Sequence, residues 1–326
     1  MNKTIRTAII GFGAIGKAHA ASLGRSADFA LTVCADPNIE QLWAEGLDPS
    51  VHLYADAAGM LASEPLDAVI VASPHHLHHE HTLAALEAGC HVMVEKPMAI
   101  DVGQCTEMIE AADRCDRQLM VAHTLHYFPT MRRLRELIGG GRIGEVVSAL
   151  EQRCAPYVSQ SRPAWYLHRE AKGMFFNLGA HCIERLGWIM GVPVERVAAR
   201  LSEEDGIDLG GSVLLTYRDG RSALVSMSGY SGGEPSSVTV LGRTGMIRGS
   251  FGSLEVCTGE RFEPVQVPSM EPPGMAQLAE FAESIRQHRP SRTDGHAGRE
   301  VVAVALAVYR AHETGQTIGV ERNYER

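Results

Sequence analysis

The chain has 326 residues, of which 45% are hydrophobic and 21% charged, and a formal net charge of −9. That length suits two domains, each with a sizeable core. The negative charge argues against nucleic acid or an anionic membrane as a bulk partner.

Seven cysteines are scattered along the chain without a C-x-x-C pair or a zinc-ligand spacing. An odd, dispersed set reads as reduced thiols. No apolar stretch reaches the roughly 18 residues that span a bilayer. The first apolar run starts too close to the N-terminus to leave room for a signal peptide. A cytoplasmic protein with no membrane partner is expected.

The apolar run Ile5 to Ile10 leads into Gly11-Phe12-Gly13-Ala14-Ile15-Gly16 and then an alanine-rich segment, Lys17 to Leu23. Strand, glycine turn and helix in that order give G-x-G-x-x-G a mechanism. The first glycine permits the tight turn, the second lets backbone approach a pyrophosphate, and the third lets the helix pack on its strand; the helix N-terminus supplies amide donors. A second strand, Phe29 to Ala35, ends at Asp36. An acid about 20 positions beyond the glycines is placed to accept hydrogen bonds from an adenosine ribose. Asp36 could also simply begin the turn Asp36-Pro37-Asn38. Glycines, strand order and acid together favour a dinucleotide site, with NAD expected over NADP because a carboxylate repels a ribose 2′-phosphate.

Further short apolar strands are predicted at Ala68–Ala72, His91–Val94 and Leu119–Ala122, with helices at His79–Glu87 and Gly103–Arg114. Near-continuous apolar strands separated by helices indicate a parallel sheet covered on both faces. Ligands in such folds sit beyond the carboxyl ends of the strands, where Ser73-Pro74 and Glu95-Lys96-Pro97 fall.

The texture changes after Phe128-Pro129. A helix is predicted at Thr130–Ile138, followed by β-rich runs at Val146–Arg153, Arg196–Leu201, Ser212–Tyr217, Ser222–Ser228 and Ser237–Leu241. Short turns between the later runs imply an antiparallel sheet. Helical patterns at Gly179–Met190, Met275–Gln287 and Arg299–Glu313 would cover one face. The other face is a common oligomer surface, so a homodimer or homotetramer is expected.

Lys96, at a strand end, could exchange a proton with a substrate hydroxyl; a solvated lysine is the plain alternative. A second cluster runs from Gly173 to Glu184, Gly-Met-Phe-Phe-Asn-Leu-Gly-Ala-His-Cys-Ile-Glu. A helix beginning near Asn177 would set Asn177, His181 and Glu184 on one face.

With these motifs the chain resembles the Gfo/Idh/MocA oxidoreductases, the family of glucose–fructose oxidoreductase and inositol dehydrogenase. The resemblance covers nearly the whole chain. It rests on Gly11 to Gly16 with His19, Ser73-Pro74 with His78, Glu95-Lys96-Pro97, Phe128-Pro129, Trp165-Tyr166 and the Gly173 to Glu184 block.

The resemblance implies an α/β protein: an N-terminal Rossmann domain with a parallel sheet, residues 1–122, and a C-terminal α/β domain with an open, mostly antiparallel sheet, residues 123–326. The last helices would be able to pack back on the first domain. It implies a cis peptide at Pro97, and NAD held by Gly11, Phe12, Gly13, Ala14, Ile15, Gly16, Asp36, Ser73, Pro74, His75, His78, Glu95 and Lys96. Lys96 would polarise the reacting C–OH, and His181 would serve as base in oxidation and acid in reduction, oriented by Asn177.

Four positions depart from the family pattern. Asn177 stands where much of the family has aspartate; it can orient His181 but contributes no charge, which moves proton transfer toward Lys96. His75 replaces a usual asparagine. His126-Tyr127 replaces a common Arg-Arg pair that lines the substrate pocket in relatives.

The implied reaction is hydride transfer between nicotinamide and a secondary alcohol or ketone of a polyhydroxylated ring: a sugar, cyclitol or dihydrodiol. His126 is one candidate for the substrate pocket, and the segment from Arg153 to Lys172 carries Tyr157, Arg162, Trp165, Tyr166, His168 and Arg169. Aromatic faces beside arginine suit a ring, including one bearing a carboxylate; an ordinary solvated loop would also look so. The run His75-His76-Leu77-His78-His79-Glu80-His81 invites a metal, but the family places cofactor contacts there, and no metal is expected. The competing reading is a non-catalytic, nucleotide- and ligand-binding regulatory protein of the same fold.

Overall fold

The computed structural model describes residues 3–38, 47–157, 172–230 and 236–322. Two compact units divide the chain. Met1–Thr124 and Glu271–Arg299 form the first, Leu125–Met270 and Glu300–Arg326 the second.

In chain order the first stretch holds β1 (Ile5–Ile10), α1 (Ala14–Leu23), β2 (Phe29–Ala35), β3 (His52–Tyr54), α2 (Ala57–Ser63) and β4 (Ala68–Val71). It continues with α3 (His78–Glu87), β5 (His91–Val94), α4 (Val102–Cys115) and β6 (Leu119–Val121). Then come α5 (Pro129–Gly139), β7 (Val146–Cys154), α6 (Ala180–Met190), β8 (Val194–Glu204), β9 (Ile207–Tyr217) and β10 (Ser222–Ser228). The last elements are β11 (Ser237–Gly242), β12 (Gly245–Ser250), β13 (Leu254–Cys257), β14 (Glu263–Pro264), α7 (Pro273–Gln287), α8 (Gly295–Thr314) and β15 (Ile318–Gly319).

The first unit is built on a parallel sheet of order β3-β2-β1-β4-β5-β6. This is the doubly wound dinucleotide-binding order, with its switch point between β1 and β4. Every residue of β4 is buried, as a strand covered on both faces requires. Side-chain caps define two helix starts: Asp56 accepts from the Gly59 amide at 2.7 Å and Asp101 from that of Gln104 at 2.9 Å. Helix α7 joins this unit through Phe281, whose ring stacks 5.9 Å from that of Phe29.

The second unit carries a sheet of order β14-β13-β12-β11-β7-β10-β9-β8-β15. Its pairs are antiparallel except β7 with β10, which run parallel. Parallel neighbours need a long crossover rather than a hairpin, and α6 lies in the chain between them. The strands missed in the sequence, β3 and β12 to β15, are short or carry glycine, which weakens the period-2 signal. Helix α6 covers β7 and α5 covers β12.

Candidate active site

In the first unit the three motif glycines have three distinct environments. Gly11 has φ +89°, and a Cβ there would meet the Ser73 backbone at 2.6 Å, so the ends of β1 and β4 touch. A Cβ on Gly16 would lie 2.1 Å from the Gly11 carbonyl oxygen, where α1 packs on its strand. At Gly13 a Cβ would meet nothing within 4 Å, leaving open backbone at the start of α1. Two glycines thus close the turn and the third keeps a face clear for an anionic group, which fits a dinucleotide pyrophosphate.

Asp36 is tied to this turn. Its Oδ2 accepts the Phe12 amide at 2.7 Å, and its Oδ1 accepts the Asn38 amide at 2.9 Å. The Asx-type bond to Asn38 holds the carboxylate beside the glycines.

Behind the Glu95-Lys96-Pro97 triplet lies a polar cluster. The Lys96–Pro97 peptide bond is cis. Glu95 contacts His19 of α1 through Oε1 and His19 Nε2 at 2.8 Å, and its Oε2 accepts the Lys96 amide at 3.2 Å. Burial alone would push the Glu95 carboxyl up, but the hydrogen bond with His19 and the electrostatic pull of His19, Lys96 and His78 outweigh it, and the net direction is down. Glu95 thus anchors the loop to α1.

His78 is 1% exposed, with Nδ1 2.9 Å from the Pro97 carbonyl oxygen and Nε2 2.9 Å from that of Ser73. Burial lowers its pKa more than the two carbonyls and Glu95 raise it. Its ring braces the loops after β4 and β5 from beneath. His81 Nδ1 meets Ser73 Oγ at 2.9 Å, and His79 pairs with Glu107 at 2.8 Å. His75 is buried, its ring 6.5 Å from that of His78. The histidine run is divided among separate partners, and among the described residues no group of His, Cys, Asp or Glu has metal-site geometry.

In the second unit Asn177 lies in a π-helical turn, Phe175–Gly179, that runs into α6 without a break. His181 and Glu184 therefore share an α-helical face, and Asn177 stands one wide turn before His181. Asn177 is buried and His181 partly exposed. Glu184 instead serves His126: its Oε1 lies 2.6 Å from His126 Nδ1, while the His126 ring packs 3.9 Å from that of Trp188. His126 is therefore oriented by α6. Arg162, Trp165, Tyr166, His168 and Arg169 lie outside the described residues. Tyr157 is fully buried and belongs to the core of this unit.

Two buried pairs had no signal in the sequence, because their members are far apart along it. Arg185 of α6 binds Glu151 of β7 through both Nε, at 3.0 Å, and Nη2. Asp208 and Tyr309 meet at 2.5 Å beside the π turn.

Comparison with known proteins agrees with the fold. Residues 5–123 match the family model described as the Gfo/Idh/MocA oxidoreductase family, NAD-binding Rossmann fold, and residues 131–248 match the Gfo/Idh/MocA C-terminal domain. The chain is 30% identical to a 1,5-anhydro-D-fructose reductase of Ensifer adhaerens, over 80% of this chain and 82% of that one. It is 27% identical to a scyllo-inositol 2-dehydrogenase (NADP(+)) of Bacillus subtilis, over 87% and 89% of the two chains. The fold is that of levoglucosan dehydrogenase in complex with NADH, at TM-score 0.90 and 19% identity, over 98% of this chain and 100% of that one.

The chain belongs to the Gfo/Idh/MocA oxidoreductase family. It is an NAD-binding oxidoreductase, and the regulatory reading is not favoured. No helix among the described residues is long and apolar enough to cross a membrane.

Proposed function

We propose that the protein oxidises a secondary alcohol of a sugar, cyclitol or dihydrodiol ring, or reduces the matching ketone, with NAD preferred over NADP. The observation that carries the cofactor half is the Asp36 carboxylate fixed beside the open Gly13 backbone. The names of the relatives support the substrate class, and the NADP(+) in one of them is weighed against Asp36.

NAD, when bound, supplies the hydride acceptor. The chain's own work is to place and deprotonate the hydroxyl. Lys96, on the loop braced by Glu95 and His78, donates to the reacting oxygen and stabilises its developing charge. His181 takes the hydroxyl proton in oxidation and returns it in reduction, with Asn177 as its neutral orienting partner. His126, held by Glu184, binds a further ring hydroxyl. Arg162, Trp165, Tyr166 and Arg169 are proposed to complete the substrate site.

A second copy of the chain is proposed to cover the open face of the nine-stranded sheet. Leu150, Leu224 and Leu214 lie side by side on β7, β10 and β9, each at least 40% exposed. Ser148, Ser222 and Thr216 form the row on one side, Gln152, Ser226 and Ser212 that on the other. An exposed apolar row bordered by Ser, Thr and Gln on these strands, with Arg196 and Arg200 beyond them on β8, is how a protein–protein surface with a polar rim reads. The seven free thiols support a cytoplasmic enzyme.

The deciding experiment follows absorbance at 340 nm with NAD or NADP against sugars, cyclitols, sugar acids and aromatic dihydrodiols, with Lys96→Ala in parallel. NADH formation lost in the variant supports the reading. Tight NADH binding with no turnover on any class would overturn the substrate assignment.

A further inference from the structure

We propose that Asp208 and Tyr309 are positioning residues for the turn that presents Asn177 and His181, with Asp208 working as a neutral carboxylic acid.

The chain enters that turn through a sharp corner. Lys172 has φ +57° and Gly173 φ +88°, so two successive residues are left-handed, a conformation that a non-glycine residue keeps only when its surroundings hold it. The surroundings are Asp208, from β9, and Tyr309, from α8. Asp208 Oδ2 accepts the Phe175 amide at 2.7 Å. The Tyr309 oxygen accepts the Phe176 amide at 3.1 Å, contacts Asp208 Oδ1 at 2.5 Å and bonds the Lys172 carbonyl. Gly173 is compulsory here, since a Cβ would lie 2.1 Å from Asp208 Oδ1.

Counting protons fixes the state of the acid. The Tyr309 hydroxyl has one hydrogen, yet its oxygen faces two acceptors, the Lys172 carbonyl and the Asp208 carboxyl. If Asp208 is ionised, one of these contacts has no proton. If Asp208 is protonated, its O–H donates to Tyr309, Tyr309 donates to Lys172, and Oδ2 still accepts the Phe175 amide. Every group is then satisfied.

The electrostatic setting favours that proton below about pH 6. Asp208 is 2% exposed. Burial pushes its carboxyl up to about 6, against the bonds from Tyr309 and the Phe175 amide; Glu203 pushes it further up and His312 pulls it down. Glu203 sits opposite Asp208 in the β8–β9 register and pairs with His312 of α8 at 3.3 Å. On the corner itself, the Lys172 ammonium lies 5.9 Å from the Phe176 ring centroid. Burial raises Tyr309 well above its ordinary range, so it stays a phenol.

Asp208→Asn tests the assignment, because an amide keeps an acceptor for Phe175 and places an N–H donor toward Tyr309 without titrating. The stability that the protonated acid contributes is present below the ordinary value of 3.8 and lost as pH rises through about 6. Melting temperature is therefore followed from pH 4 to 8 in wild type and Asp208→Asn. The wild type is expected to lose stability relative to Asp208→Asn across that window. A constant difference between the two overturns the proposal.

The kinetic arm rests on the dehydrogenase reading. Asp208→Ala and Tyr309→Phe are expected to lower kcat about 10- to 100-fold by misplacing the turn, with Asp208→Asn recovering most of the loss and the limb near pH 6 absent from its profile. Asp208→Asn as slow as Asp208→Ala also overturns the proposal. Should Asp208→Ala not fold, or should no substrate turn over, the comparison of melting curves still decides, since it needs no catalysis.

Discussion

The Phe12 amide donates to Asp36 Oδ2 at 2.7 Å, so the acid at the end of β2 is held by the second residue of the glycine motif. This one bond joins the two sequence features on which cofactor choice depends. A hydrogen bond to a charged group contributes roughly 1.5–3 kcal/mol. Asp36→Ala is expected to weaken NAD binding by about 10- to 100-fold and to narrow or reverse the preference over NADP. Titration of both cofactors by quenching of protein fluorescence checks it, and an unchanged ratio would remove Asp36 from the ribose site.

Lys96→Ala and His181→Ala are expected to lower kcat by about 10²–10⁴, the usual worth of a positioned proton-transfer group. NADH affinity should change only a few-fold in His181→Ala, which belongs to the other unit. A His181 variant with wild-type kcat would move proton transfer to Lys96 alone.

The Arg185–Glu151 pair is almost fully enclosed. Removing one partner of such a pair strands a buried charge and costs about 3–5 kcal/mol, whereas replacing both with apolar residues of similar size is often neutral or stabilising. Arg185→Met alone should therefore lower the urea midpoint sharply, and Arg185→Met with Glu151→Leu should recover it. Equal losses in the single and double variants would contradict this account.

Asp67 gives the acid side of the stability profile. Its bonds from the Arg6 side chain and amide outweigh burial and hold it at about 2, against an ordinary 3.8. That stabilisation is present above pH 3.8 and is lost as pH falls through 2. Arg6→Ala should raise the pH of half-unfolding in an acid titration followed by circular dichroism, and the effect should shrink with salt because the pair is partly exposed.

Leu224→Lys is expected to shift the mass measured by light scattering toward the monomer, since it sets a charge in the middle of the leucine row. An unchanged mass would mean that this face is not the contact between copies.

The sequence by itself determined the elements with strong local signals. Gly11 to Gly16 and Asp36 were legible because a phosphate-binding turn allows few residue types, and the apolar runs of β1, β4 and β5 because a doubly covered strand must be hydrophobic throughout. Lys96, Asn177 and His181, the proposed site residues, stand out in the sequence only as members of motifs, and the π turn that holds Asn177 has no local sequence signal. The tertiary structure alone decided the partners: His19 for Glu95, Glu184 for His126, Glu151 for Arg185 and Tyr309 for Asp208. These pairs join residues tens to a hundred positions apart, where no periodicity or spacing links them. What couples them is the cost of burying a polar group without a partner, a cost that exists only once the chain has folded.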